Sequence, residues 1–214
     1  MIARWIYNRI SSAATKEDIY MNLDSVLEKM GTTQKIQLLD NHPSSVSVSP
    51  FSKFYIKPTL KDINIAKDPK MLLFSAPGAT GKSALAQYIS RSKNALLWDL
   101  SKEKIANHSF SGMLVESLGT KLFSEFTEGL ENGTAVLFID ALDEAEMISG
   151  RIAIETLLKD LRSICENATS PNIALCARTE TAHFINKKGI SLACQARDFQ
   201  LYSVFLRNHS LLPS

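Results

Sequence analysis

Four short apolar runs punctuate the chain at wide intervals: Met71–Ser75 (MLLFS), Ala95–Asp99 (ALLWD), Val136–Asp140 (VLFID) and Ile173–Ala177 (IALCA). Each is nearly continuous in apolar residues rather than alternating, as expected of a strand covered on both faces. The stretches between them carry a longer period. Leu85 and Ile89 mark one helical face, Phe110, Leu114, Leu118, Leu122 and Phe126 a second, and Ile154, Leu157, Leu158, Leu161 and Ile164 a third. Strand and helix in alternation predict an α/β fold, a parallel sheet flanked by helices, because right-handed crossovers return the chain over the sheet between parallel strands. A fifth strand is expected near Ile190–Cys194, and a helix over Tyr202–Asn208.

Upstream of these runs the pattern is helical. The segment T-K-E-D from Thr15 has the spacing of a helix start, and Ile19, Leu23, Val26, Leu27 and Met30 then share one face before Gly31. Ile2, Trp5, Ile6 and Ile10 also recur at helical spacing, with Arg4 and Arg9 off the stripe. Asn41–Pro50 (NHPSSVSVSP) is dense in turn formers and is expected to be a linker. The predicted organisation is a short helical N-terminal leader, residues 1–45, ahead of an α/β domain, residues 46–214.

Composition narrows the class without changing this picture. Of 214 residues 45% are hydrophobic and 21% charged, with 9 Gly and 7 Pro, which describes a core-forming chain rather than a disordered or fibrous one. The formal net charge is +2, from 24 Lys and Arg against 22 Asp and Glu, so composition gives no sign of a nucleic-acid partner. Cys165, Cys176 and Cys194 are odd in number and form no C-x-x-C pair, the pattern of reduced thiols rather than of a disulfide framework or zinc site. Met1–Ile10 is interrupted by Arg4, Asn8 and Arg9 and lacks a signal-peptide core. The expectation is a soluble cytoplasmic protein with no membrane contact.

The chemistry begins at the end of the first apolar run. There the sequence reads Ala76-Pro77-Gly78-Ala79-Thr80-Gly81-Lys82-Ser83 and passes directly into a helical stretch. Apart from Ala at its first position this is the G-x-x-x-x-G-K-[ST] phosphate loop, in the strand–turn–helix context such a loop requires. Gly78 and Gly81 allow backbone N–H groups to turn inward around an anion, and the helix that follows adds the positive end of its dipole. Lys82 would reach the outer phosphates of a nucleotide and the Ser83 hydroxyl would ligand Mg2+.

The third run ends in an acidic group, VLFI-Asp140-Ala141-Leu142-Asp143-Glu144. Ligands of open α/β sheets bind at the carboxyl ends of the strands, so Asp140 is placed to hold the metal through water. Asp143 and Glu144 follow within one turn and could orient or deprotonate the attacking water, with Glu144 preferred for its reach. The bland alternative is that these acids only cap the helix that follows. A second register, Asp143-Glu144-Ala145-Glu146 as a helicase-type box, would bury Asp140 inside a strand, where an unpaired carboxylate is costly. Asp140 is therefore taken as the strand-terminal acid.

APGATGKS, FIDALDEA and IALCART together resemble the NACHT branch of the STAND signalling NTPases, over about Phe54 to Arg207. Ala141 after the metal-binding acid favours that branch over the apoptotic ATPases, and Phe54–Pro58 is loosely similar to the segment ahead of the phosphate loop in bacterial members. The resemblance implies ATP or ADP as ligand with Mg2+, hydrolysis, and self-association controlled by nucleotide state. It also implies that the strand ending at Arg178 lies between the other two and that Arg178 reads the γ-phosphate; a surface pairing with Glu180 is the alternative. Possible partners are a second copy or a protein bound through the leader. Members continue into a helical lid, a winged helix and a repeat array, so a fragment or minimal core is expected here. Many bacterial members act in defence against phage, which makes that role an expectation as well.

Overall fold

A computed structural model describes residues 20–34, 36–48, 59–64, 70–185 and 201–207. The four apolar runs are strands: β4 (Met71–Ala76), β5 (Leu96–Asp99), β6 (Leu137–Asp140) and β7 (Ile173–Arg178). Three strands precede them, β1 (Tyr20–Asn22), β2 (Val46–Val48) and β3 (Thr59–Asn64), and β8 (Leu201–Arg207) follows. They form one sheet in the order β1-β3-β8-β4-β7-β6-β5-β2. The five central strands, β8 to β5, are parallel, while β1, β3 and β2 are antiparallel additions at the two edges. The fold is thus α/β, with a parallel sheet flanked by helices.

Because successive side chains of a strand face opposite ways, a run that is apolar throughout must be covered twice. Leu72, Phe74, Leu97, Phe138, Ala174 and Cys176 meet α2 (Lys82–Lys93) on one face. Met71, Leu73, Leu96, Trp98, Leu137, Ile139, Ile173 and Leu175 meet α3 (Ser109–Asn132) and α5 (Arg151–Cys165) on the other. Between β6 and α5 the chain also forms α4 (Leu142–Ser149). Phe74 and Phe138 stack with ring centroids 6.0 Å apart, and Trp98 tilts against Phe110 at 6.3 Å. Each such side chain removed from water contributes on the order of 2 kcal/mol. Trp98 is a core residue, as its place on an apolar strand predicts.

Four segments differ from the sequence expectation. Of the helix expected over Thr15–Met30, the described residues form α1 (Leu23–Leu27); Tyr20–Asn22 pair instead with Thr59–Lys61, and the Thr15 start lies outside the described residues. Leu23, Val26, Leu27 and Met30 are buried nonetheless, in the same cluster as Leu72 and Phe74. Within the stretch expected to link leader and domain, Val46–Val48 is an edge strand against Leu96–Trp98. Tyr202–Asn208, expected helical, falls largely in β8, because the mostly apolar seven-residue stretch Leu201–Arg207 is long enough for a strand and gains hydrogen-bonded neighbours on both sides, β3 and β4. Finally, α3 breaks at Gly119 (φ 78°, ψ 164°), where the Leu39 N–H donates to the Ser117 carbonyl at 2.9 Å. Ile190–Cys194 lie outside the described residues.

Candidate functional site

The site forms where β4, β6 and β7 deliver their carboxyl ends to one edge of the sheet. β7 lies between the other two, pairing Ala76 with Arg178 on one side and Ile139 with Leu175 on the other. A cleft of about 170 Å³ opens there, lined by Gly78 to Ser83, Asp140, Ala141, Asp143, Glu144 and Arg178. Every residue singled out from the sequence for chemistry is therefore at this cleft except Ala76 and Pro77, which form its root: Ala76 is the buried last residue of β4 and Pro77 the first of the turn.

The turn itself is shaped by backbone that few side chains permit. Ala79 has φ 57° and Gly81 φ 89°, both left-handed, and nothing stands within 4 Å of a Cβ built on Gly81. Thr80 Oγ1 donates to the Pro77 carbonyl at 2.9 Å and tightens the turn. Lys82 Nζ donates to the carbonyls of Pro77 at 2.9 Å and Ala76 at 3.2 Å, so the ammonium lies across the mouth of the loop. Since α2 starts at Lys82, its first N–H groups lack intrahelical acceptors and face the cleft end of the helix.

Facing this cationic half is an anionic one. Asp140 ends β6 and is 7% exposed. Burial pushes its carboxyl above the ordinary range; hydrogen bonds from the Ser83 hydroxyl and the Ala141 N–H pull it down, and the charges of Asp99 and Asp143 push it up again. Ala141 has φ 62°, so the chain turns sharply out of the strand before α4 begins. Asp143 and Glu144 sit in the first turn of α4. Glu144 is half-buried, and desolvation raises its pKa, helped by Asp143 and opposed by its own backbone N–H and by Arg178.

Arg178 spans the two acids. Its Nε lies 2.7 Å from Asp143 Oδ2 and its Nη2 3.7 Å from Glu144 Oε1. Asp143 Oδ1 accepts the Arg178 backbone N–H at 3.1 Å. The local alternative, pairing with Glu180, is not the one adopted. Asp143 Oδ2 is charge-paired with Nε, but no N–H points along the line to it.

Two residues at this edge escaped the sequence reading. Asp99 ends β5 in register with Asp140 and adds a second strand-terminal carboxylate beside it; its signal was the same apolar run ending in Asp. Cys176 lies beneath the loop, its Sγ 3.8 Å from the Lys82 carbonyl, and full burial pushes its thiol well above the ordinary value. Nothing in its spacing marked it.

The donor set suits a magnesium nucleotide. A hydroxyl and a buried carboxylate are hard oxygen ligands, the neighbouring carboxylates add negative charge, and Mg2+ typically takes one or two such ligands with the rest from phosphate and water. Among the described residues no group of three or more His, Cys, Asp or Glu is arranged to hold a metal on its own. No described helix is long and apolar enough to cross a membrane.

Searches by sequence match no known family and no curated protein. Among solved structures the chain is similar to the AAA domain of FIGL-1 in complex with ADP, at 16% identity over 63% of this chain and 43% of that one, TM-score 0.32. It is also similar to PCH-2 of C. elegans, at 19% identity over 63% of this chain and 36% of that one, TM-score 0.29. The chain thus spans less than half of either structure.

Proposed function

We propose that this chain binds ATP with Mg2+ and hydrolyses its β–γ phosphoanhydride, as the core of a NACHT/STAND-like switch whose nucleotide state governs assembly. The observation that carries the reading is the convergence, in one cleft, of a phosphate-loop turn bearing Lys82 and Ser83 and a strand-terminal Asp140. The loop amides and Lys82 would hold the phosphates and stabilise charge developing on them. Ser83 and Asp140 would hold Mg2+, which would supply positive charge against the negative charge of the phosphates. Glu144 is the acid best placed to orient water, being only half-buried at the cleft wall. Arg178, on the strand between the loop and the acids, would contact the terminal phosphate through charge-assisted hydrogen bonds.

Family membership, adenine preference, assembly through a second copy or through the leader, and a role in phage defence rest on the sequence resemblance and belong to the same proposal. A second reading, a nucleotide-binding module without useful turnover, is favoured by one observation: both oxygens of Asp143 are committed to Arg178, which leaves Glu144 to act alone. Phosphate release by the wild type, Lys82→Ala and Glu144→Gln separates the two. ATP hydrolysis by the wild type that both variants lack is expected. Equal rates in all three overturn the catalytic assignment, and tight nucleotide binding without multiple turnover selects the second reading.

A further inference from the structure

Sequence position groups Asp143 with Glu144 as an acid for the attacking water, but the surroundings of Asp143 give it another task. It is 5% exposed, and its two oxygens are directed at a single residue, Oδ1 at the backbone N–H of Arg178 and Oδ2 at the Nε of the same side chain. The two residues belong to different elements, the first turn of α4 and the end of β7. Building on the nucleotide reading above, we infer that Asp143 is a positioning residue: it clamps Arg178 by backbone and side chain, so that the outer edge of the guanidinium is held ready for the terminal phosphate.

The geometry divides the guanidinium in two. Nε is ion-paired with Asp143 at 2.7 Å, while Nη2 stands 3.7 Å from Glu144 at the cleft wall. A Cβ built on Gly78 would come 4.0 Å from Nε, so the group lies against the phosphate loop itself. With its side chain 48% exposed, Arg178 would sample many rotamers if left alone, and a ligand would have to order it. An acid paired with Nε and bonded to the backbone N–H of the same residue lowers that cost and restricts the directions in which the planar N–H fork can point. A group that touches a terminal phosphate, and not the inner two, favours triphosphate over diphosphate. Asp143 therefore acts on that discrimination through Arg178.

The test is the affinity ratio of a non-hydrolysable ATP analogue to ADP, measured by calorimetry with Mg2+ on wild type, Arg178→Ala, Asp143→Ala, Asp143→Asn and the Asp143→Ala/Arg178→Ala double variant. Asn matches Asp in shape and retains an acceptor for the Arg178 N–H, so that variant keeps the test decisive even if truncation to Ala disturbs the fold. The expected result is a drop in the ratio of about tenfold, the worth of one charged hydrogen bond, in each single variant. The double variant should lose no more than Arg178→Ala does. An unchanged ratio in Asp143→Asn overturns the inference, as do additive losses in the double variant or a parallel fall in both affinities, which would mark a purely structural role. A wild type that binds neither nucleotide is a different result; it overturns the nucleotide reading, and the inference with it.

Discussion

The Ser83 side chain, in the first turn of α2, stands beside the Asp140 carboxylate at the end of β6 and pulls its pKa down against the effect of burial. Two segments 57 residues apart are thereby brought together at the two side chains proposed to hold the metal. Asp140 is held there at a cost, since its carboxylate is desolvated and has Asp99 and Asp143 for neighbours.

That cost sets the expected behaviour of Asp140→Asn. Removing the charge keeps a hydrogen-bonding partner for Ser83, so the nucleotide-free protein should melt at the wild-type temperature or slightly above it. Its Mg2+-dependent gain in ATP affinity should fall by about 10- to 100-fold, the range seen when even an outer partner of a metal site is lost. Differential scanning fluorimetry and a Mg2+ titration check the two halves. A destabilised variant with intact Mg2+ dependence would contradict both.

The same desolvation fixes the sign of a pH effect. Asp140 and Glu144 keep their protons in the folded chain at pH values where the unfolded chain has released them, because their folded pKa values lie above 3.8 and 4.5 respectively. Stability from this source is whole below those ordinary values and is lost as pH rises through the raised folded ones. In the absence of nucleotide, the double variant Asp140→Asn/Glu144→Gln should therefore gain stability relative to wild type as pH rises from about 4, then hold a constant advantage. Melting temperatures of both proteins across that range measure the difference; an advantage that shrinks with pH would reverse the assigned direction.

How much of this was legible in the sequence depends on the range of the forces involved. Buried strands announce themselves by continuous apolar runs, so β4 to β7 and the placement of Asp140 at a strand end could be read locally. Tyr20–Asn22 and Leu201–Arg207 could not, since short apolar stretches fit either period and pairing with distant strands decides between them. The partner of Arg178 was hidden for the same reason. Glu180 is two residues away along the chain, but Asp143, 35 residues away, is the one the sheet brings alongside. Asp99 was legible in principle, because β5 ends in an acid just as β6 does.

The two described cysteines should be inert in the folded protein. Burial pushes the Cys165 thiol up to about 12 and Cys176 well above its ordinary value, and reactivity needs the thiolate. At mildly alkaline pH neither should be alkylated by iodoacetamide within an hour in native buffer, and both should be in denaturant, as read by peptide mass spectrometry. Because Cys176 underlies the Lys82 turn, its modification in native buffer would mean that the loop opens on that timescale.

Gly31 and Gly112 should answer opposite ways to the same substitution. A Cβ on Gly31 would stand 2.0 Å from the Gly133 carbonyl oxygen and 2.8 Å from its carbon, both backbone atoms that cannot swing aside. Its N–H also donates to Oδ1 of the fully buried Asn172, whose amide in turn donates to the Leu130 carbonyl at 2.9 Å. Forcing Gly31 outward would loosen that joint between the N-terminal segment, the end of α3 and the start of β7. Gly31→Ala should cost about 3 kcal/mol. Gly112, on the exposed side of the first half of α3, has nothing within 4 Å of a Cβ, so Gly112→Ala should add roughly 1 kcal/mol through helix propensity alone. Urea denaturation of the two variants beside wild type measures both; similar midpoints would mean that residues 31 and 133 do not approach as closely as the fold requires.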